Sequence, residues 1–161
     1  MTSPTLHLVC GKVAAGKSTL TSQLADAPAT VLLSEDHWLS TLYGPEMTDL
    51  QDYVRFSGRL AQVIGPHVAA LLRAGVSVVM DFPANTVAQR RALVAMAAKA
   101  DAPHIVHHLD VTDEVCLARL MERNALGTHP FTVTEDQFRR ITAHFAPPDP
   151  AEGLSIRRYT P

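Results

Sequence analysis

Cysteine is scarce in this 161-residue chain: Cys10 and Cys116 are the only two. They lie far apart, in apolar surroundings and in no metal-like spacing, so both are expected as reduced core residues of a cytoplasmic protein. An excess of charge is also missing. Lys and Arg total 14 against 16 Asp and Glu, a net charge of −2. No field spread over the molecule draws in a polyanion, which argues against long nucleic acid as a partner but not against a small phosphorylated one. No run of 18 apolar residues suggests a membrane span. The N-terminus lacks the basic region and long apolar stretch of a signal peptide. There is no internal repeat and no low-complexity tract. The eight histidines make no ligand set. His107 and His108 are adjacent on a strand-like run and point to opposite faces, and His7, His67, His104 and His144 are scattered. Structural or surface roles are expected for these, with His129 set apart in a loop described below.

Length and a hydrophobic content of 47% fit a single domain over residues 1–161 with a full core. Strand-like runs recur at 5–10, 30–34, 76–81 and 104–109, with a weaker one at 154–159. Helical patterns lie between them, which predicts βαβ units and a parallel sheet covered on both faces. Thr86…Gln89 and Thr134…Gln137 fit capping boxes, and Thr112 precedes Asp113 and Glu114 at a further helix start. A long helical region covers 48–73, where Gly65-Pro66 predicts a kink or a division into two helices. Residues 124–133 carry Gly127 and Pro130, lack periodicity and read as a mobile loop that holds His129. Residues 147–153 form a stiff connection to the last strand.

Against these absences stands one motif. Residues 11–18 read Gly11-Lys12-Val13-Ala14-Ala15-Gly16-Lys17-Ser18, a P-loop, and Thr19 follows. A strand-like run precedes it and a helix-like run follows, which is the context the motif requires. Gly11 permits a tight turn out of the strand, and Gly16 lets the backbone approach an anion without a Cβ in the way. Loop N–H groups and the positive helix end then face phosphates. Lys17 reaches the β/γ-phosphates, and the Ser18 hydroxyl is placed for Mg²⁺.

In a doubly wound sheet ligands bind beyond the carboxyl ends of the strands. After the second run come Glu35, Asp36, His37 and Trp38; after the third, Asp81, Asn85 and Arg90; after the fourth, Asp110. Asp36 is the candidate base that takes a proton from an acceptor hydroxyl, with Glu35 the alternative. His37 and Trp38 are candidates for an acceptor pocket, Trp38 equally for the core. Asp81 ends an apolar run, where a carboxylate holds the Mg²⁺ shell, and Phe82 stands where hydrolases commonly place a glutamate. Arg119 and Arg123 share a helix face just before the 124–133 loop, placed to stabilise a transferring phosphoryl group as a lid closes. Pairing with Glu114 or Glu122 on a solvated face is the plainer alternative.

Taken in this order, the P-loop, Ser34-Glu35-Asp36, Asp81…Asn85-Thr86…Arg90 and Arg119…Arg123 resemble the P-loop kinases of the polynucleotide kinase, zeta toxin and chloramphenicol phosphotransferase branch. More closely, nearly the whole chain resembles small bacterial ATP-binding proteins labelled as an AAA domain of predicted-kinase type. The resemblance implies an α/β three-layer sandwich with a five-stranded parallel sheet of order 2-3-1-4-5, ATP, Mg²⁺ and a lid. It implies Asp36 as base, Asn85 and Arg90 on the acceptor side, and Arg119 and Arg123 as lid arginines. Relatives often carry an arginine three residues after the base; Leu39 stands there, which counts against a polynucleotide 5′-hydroxyl acceptor. The leading expectation is an ATP-dependent phosphotransferase acting on a small-molecule hydroxyl, monomeric or homodimeric, with residues 44–73 supplying the acceptor pocket. A slowly hydrolysing switch protein and a polynucleotide kinase are the alternatives.

Overall fold

The five runs pair as one parallel sheet, in which the inner strands are too apolar to face water on either side and the two edge strands are partly exposed. The strands are β1 (Leu6–Cys10), β2 (Thr30–Ser34), β3 (Ser77–Asp81), β4 (His104–Leu109) and β5 (Ile156–Tyr159). Their order is β2-β3-β1-β4-β5, with every neighbour parallel. The computed structural model describes residues 3–127 and 132–161. Leu6, Leu8, Cys10, Val78, Val79, Met80 and Val106 of the inner strands are buried. Both cysteines are buried and free. The connection leaving β1 passes β3 to reach β2 and the one leaving β3 passes β1 to reach β4, so these neighbouring strands send their connections in opposite directions. A crevice opens beyond their carboxyl ends.

Helices α1 (Lys17–Ala25), α2 (Glu35–Tyr43), α3 (Leu50–Arg73), α4 (Val87–Lys99), α5 (Asp113–Leu126) and α6 (Glu135–Thr142) cover both faces. One core cluster joins α2, α3 and α4 to the sheet, and a second gathers Val111, Cys116, Leu120 and Phe138 near the P-loop. Thr86 and Thr134 form the two expected capping boxes, and Thr112 caps α5.

Two expectations need correction. Gly65-Pro66 does not divide the 48–73 region: α3 is one helix with Pro66 inside it. An interior proline costs about 3 kcal/mol. Phe56, Leu60, Ile64, Val68 and Leu72 are all buried along the same helix, and each such side chain contributes roughly 1.5–3 kcal/mol. Burial outweighs the proline, which sits on the exposed side. The loop expected to begin at Asn124 begins later, since α5 runs to Leu126 and ends on Gly127 at φ 63°. Asn124 Nδ2 donates to the Val133 carbonyl at 2.8 Å. His129 and Pro130 lie outside the described residues.

A histidine relay crosses the sheet. His7 Nδ1 lies 2.9 Å from His107 Nε2, and His107 Nδ1 lies 2.7 Å from the Tyr159 hydroxyl. Burial, with His7 and Arg157 adding repulsion, pushes the His107 pKa down from 6.5 to about 4. On acidification the unfolded chain binds this proton first. Unfolding free energy should therefore fall as pH drops from 6.5 to about 4, by up to roughly 1.4 kcal/mol per pH unit for this ring. Glu35 and Asp81, pushed up by burial, act with the opposite sign over acidic pH. NMR titration of the His107 ring is the cleaner readout, and protonation near its ordinary value would refute the relay's role.

Candidate active site

The turn out of β1 has no room for a side chain at its first position. A Cβ on Gly11 would lie 3.2 Å from Leu109 Cβ and 3.3 Å from Ala15 Cβ. Ala14 (φ 63°) and Gly16 (φ 105°) are left-handed, which costs an alanine roughly 1–2 kcal/mol. Strain of this kind persists where surroundings over-determine the backbone, and it curls the loop around a central space. Ser34, Asp49, Thr86, Thr112 and Thr134 side chains cap α2 to α6, whereas α1 has Gly16 and no side-chain cap. Its first-turn N–H groups are thus left for an anion.

Lys17 Nζ donates to the Gly11 and Lys12 carbonyls at 2.7 Å each. Burial lowers its pKa and Asp81 opposes that. A cavity of about 550 Å³ lies over the loop, lined by Val13, Ala14, Gly16, Lys17, Ser18 and Thr19 and faced by Arg119 and Arg123. Arg119 Nη1 lies 3.4 Å from the Ala15 carbonyl. Arg123 Nε is shielded from solvent without a partner among the described residues. Neither arginine forms an ion pair among the described residues, so the alternative pairing with Glu114 or Glu122 is not what holds them.

The acidic end is built by the first turn of α2. Ser34 Oγ accepts from the His37 N–H at 3.4 Å, which sets Glu35 and Asp36 at a positive helix end. Asp36 is exposed and, with His37, Ser40, Met47 and Tyr53, lines a recess of about 360 Å³. Glu35 is buried and accepts from the Tyr53 hydroxyl at 2.5 Å. Burial pushes its pKa up, Tyr53 opposes, and Asp36 and Asp81 add to the rise. The pKa of Asp81 is also pushed up, first by burial and then by Asp36, while Lys17 pulls it down. Asp81 is therefore within electrostatic reach of both Lys17 and Asp36. Trp38 packs against the main core.

Three further residues are placed differently from expectation. Arg90 does not face an acceptor: it is wholly buried, its Nε and Nη2 each 2.9 Å from Glu152 carboxylate oxygens and Nη1 3.0 Å from the Ala84 carbonyl. Its guanidinium ties α4 to the last connection of the chain. Asp110 does not open to the crevice, because its Oδ2 accepts from Arg158 Nε at 2.8 Å. The Lys12 side chain turns from the cradle to Asp113 Oδ1 (2.7 Å) and the Val111 carbonyl (3.1 Å). Only its backbone belongs to the cradle.

Asn85, expected at the acceptor, instead grips the P-loop. Its Oδ1 accepts from the Gly11 N–H at 3.0 Å and its Nδ2 donates to the Gly11 carbonyl at 2.9 Å. The Gly11 N–H is thereby taken and does not serve phosphate. Only a carboxamide makes both bonds. Asn85→Asp keeps one and sets a carboxylate oxygen against the Gly11 carbonyl, a loss of about 1–3 kcal/mol. ADP affinity should fall by roughly tenfold or more in calorimetric titration. Unchanged affinity would show that the loop holds its shape without this bond.

The sequence offered no signal for Glu35–Tyr53, Arg90–Glu152 or the Asn85 grip, which join distant positions. Lys17 and Ser18 sit where P-loop spacing puts them, and Asp36 follows the second strand as the run of apolar residues implies.

For Mg²⁺ the residues present fit. That ion takes one or two protein oxygens and fills its shell with water and phosphate. The Ser18 hydroxyl at the cradle and the half-buried Asp81 carboxyl would supply such a pair. Among the described residues no cluster of three His, Cys, Asp or Glu side chains forms a metal cage.

A parallel β2-β3-β1-β4-β5 sheet with this cradle after its central strand defines a P-loop domain of the kinase-like type. The chain belongs to the AAA domain family AAA_33, whose model matches residues 6–148. No curated protein matches it significantly. A Chloroflexus aurantiacus structure assigned as a kinase is 21% identical (TM-score 0.70), covering 99% of this chain and 86% of its own. A Janibacter sugar kinase is 17% identical (TM-score 0.64; 99% and 86% covered). The Mycobacterium tuberculosis APS kinase, solved with AMPPNP and APS, is 18% identical (TM-score 0.62; 100% and 90% covered). At these identities the likeness is one of fold. No helix among the described residues is long and apolar enough to cross a membrane.

Proposed function

We propose that this protein is an ATP-dependent phosphotransferase that moves the γ-phosphate to the hydroxyl of a small molecule. The observation that carries this reading is a phosphate cradle holding Lys17 beside the paired carboxyl ends of β2 and β3, where Ser34 faces Asp81 in register and Asp36 follows into a recess. The P-loop backbone and the first turn of α1 bind the polyphosphate, and Lys17 holds its β/γ end. Ser18 and Asp81 hold Mg²⁺, which neutralises charge on the phosphates. Asp36 orients the acceptor hydroxyl in line and takes its proton. Arg119 and Arg123 face the cradle from α5, where guanidinium groups stabilise charge spread over the transferring oxygens. The AMPPNP complex of the APS kinase supports ATP as donor.

Phe82 after Asp81 speaks against a dedicated hydrolase. Leu39 is buried in the core, so the position three residues after Asp36 offers a polynucleotide no cation. A mass-spectrometric screen tests the reading. It requires an alcohol that gains one phosphoryl group only with active protein and MgATP. ADP release without any phosphorylated product would favour the slow hydrolase.

A further inference from the structure

We propose that the cleft between α3 and α4, closed at its inner end by the Glu35–Tyr53 pair, is the acceptor subsite, and that it takes an uncharged alcohol with a compact apolar body. This rests on the phosphotransferase reading and names the substrate class of that site. The cleft holds about 320 Å³. Its walls are Val54, Gly58 and Ala61 of α3, Phe82 beyond β3, and Leu93 and Met96 of α4. Phe82 and Glu35 directly neighbour Asp81 and Asp36 in the chain, so the cleft opens beside the reacting end of the site. Tyr53 lines both this cleft and the Asp36 recess, joining the two.

Two features select the ligand. No lysine or arginine lines either space, while Glu35 lines the cleft and Asp36 the recess. Across the two spaces a phosphorylated or carboxylated acceptor would meet two acids and no cation, at a cost that rises with burial. The mouth is apolar as well: Val54, which lines the cleft from α3, is 62% exposed. Apolar side chains left in water at a cleft mouth gain by covering an apolar ligand. The buried carboxyl and phenol at the closed end supply the few polar contacts that orient it.

Gly58→Leu provides the test. A Cβ at Gly58 meets nothing within 4 Å, and leucine raises helix propensity there, so the variant folds with its added side chain at the cleft. The probes are 2-phenylethanol and cyclohexylmethanol against glucose 6-phosphate and a 5′-hydroxyl oligonucleotide. With MgADP present, saturation-transfer NMR should show the two neutral alcohols binding the wild type. Gly58→Leu should weaken them at least tenfold with MgADP affinity unchanged. With MgATP, the neutral probes should be phosphorylated and the anionic ones left intact. Equal binding to the variant, or phosphorylation of the anionic probes alone, would overturn the inference. Binding that Gly58→Leu removes, without phosphorylation of any probe, would uphold the subsite and count against the phosphotransferase reading. Failure of every probe to bind would overturn the inference while ADP binding still tested the cradle.

Discussion

Lys17→Ala is expected to remove phosphoryl transfer and most nucleotide affinity while leaving the fold intact. Lys17 is the one ammonium directed at the cradle, since Lys12 is engaged by Asp113. Loss of a preorganised charge on a transferring group costs about 10²–10³ in rate, and the same truncation weakens ground-state binding of the β-phosphate. Stability should not suffer. Burial already disfavours the ammonium, and the Gly11 carbonyl keeps its bond from Asn85. Single-turnover kinetics, ADP calorimetry and a thermal melt together check this. A variant that binds ADP as the wild type does would remove the basis for the proposed function.

Asp36→Asn should separate binding from chemistry. Asp36 is exposed, so an isosteric amide carries little folding cost. The amide still hydrogen-bonds a hydroxyl but does not accept its proton. General-base catalysis is worth about 10²–10⁴ in rate. A loose transition state asks little of the attacking oxygen until late, so the lower part of that range is expected. MgADP affinity should match wild type, because Asp36 lies on the acceptor side of Asp81. If transfer to an acceptor proceeds at the wild-type rate, Asp36 is not the base. Glu35 would then be tested next, although its bond with Tyr53 commits it to holding the cleft end.

Sequence pattern sufficed where interactions are local. All five strands fell within two residues of their expected starts; for the inner strands this is because a strand buried on both faces is a short, nearly continuous apolar run. Capping boxes at Thr86 and Thr134 were legible because cap and partner are three residues apart. It failed where a side chain chose between distant partners. Arg90, one helical turn beyond a presumed acceptor element, fitted a binding role by position. Only the folded chain brings Glu152 against it. Asn85 sits where the resemblance implies an acceptor contact, but its partner, Gly11, lies 74 residues away in the chain.

What the sequence determined by itself is the phosphate cradle and its setting. Glycine positions, one lysine and the flanking strand and helix depend on backbone sterics and near-neighbour bonds. What the tertiary structure alone decided is the other half of the site. Continuity of α3 through Pro66, the Glu35–Tyr53 closure and the apolar α3–α4 cleft arise from packing summed over segments far apart in the chain. No local pattern records that sum.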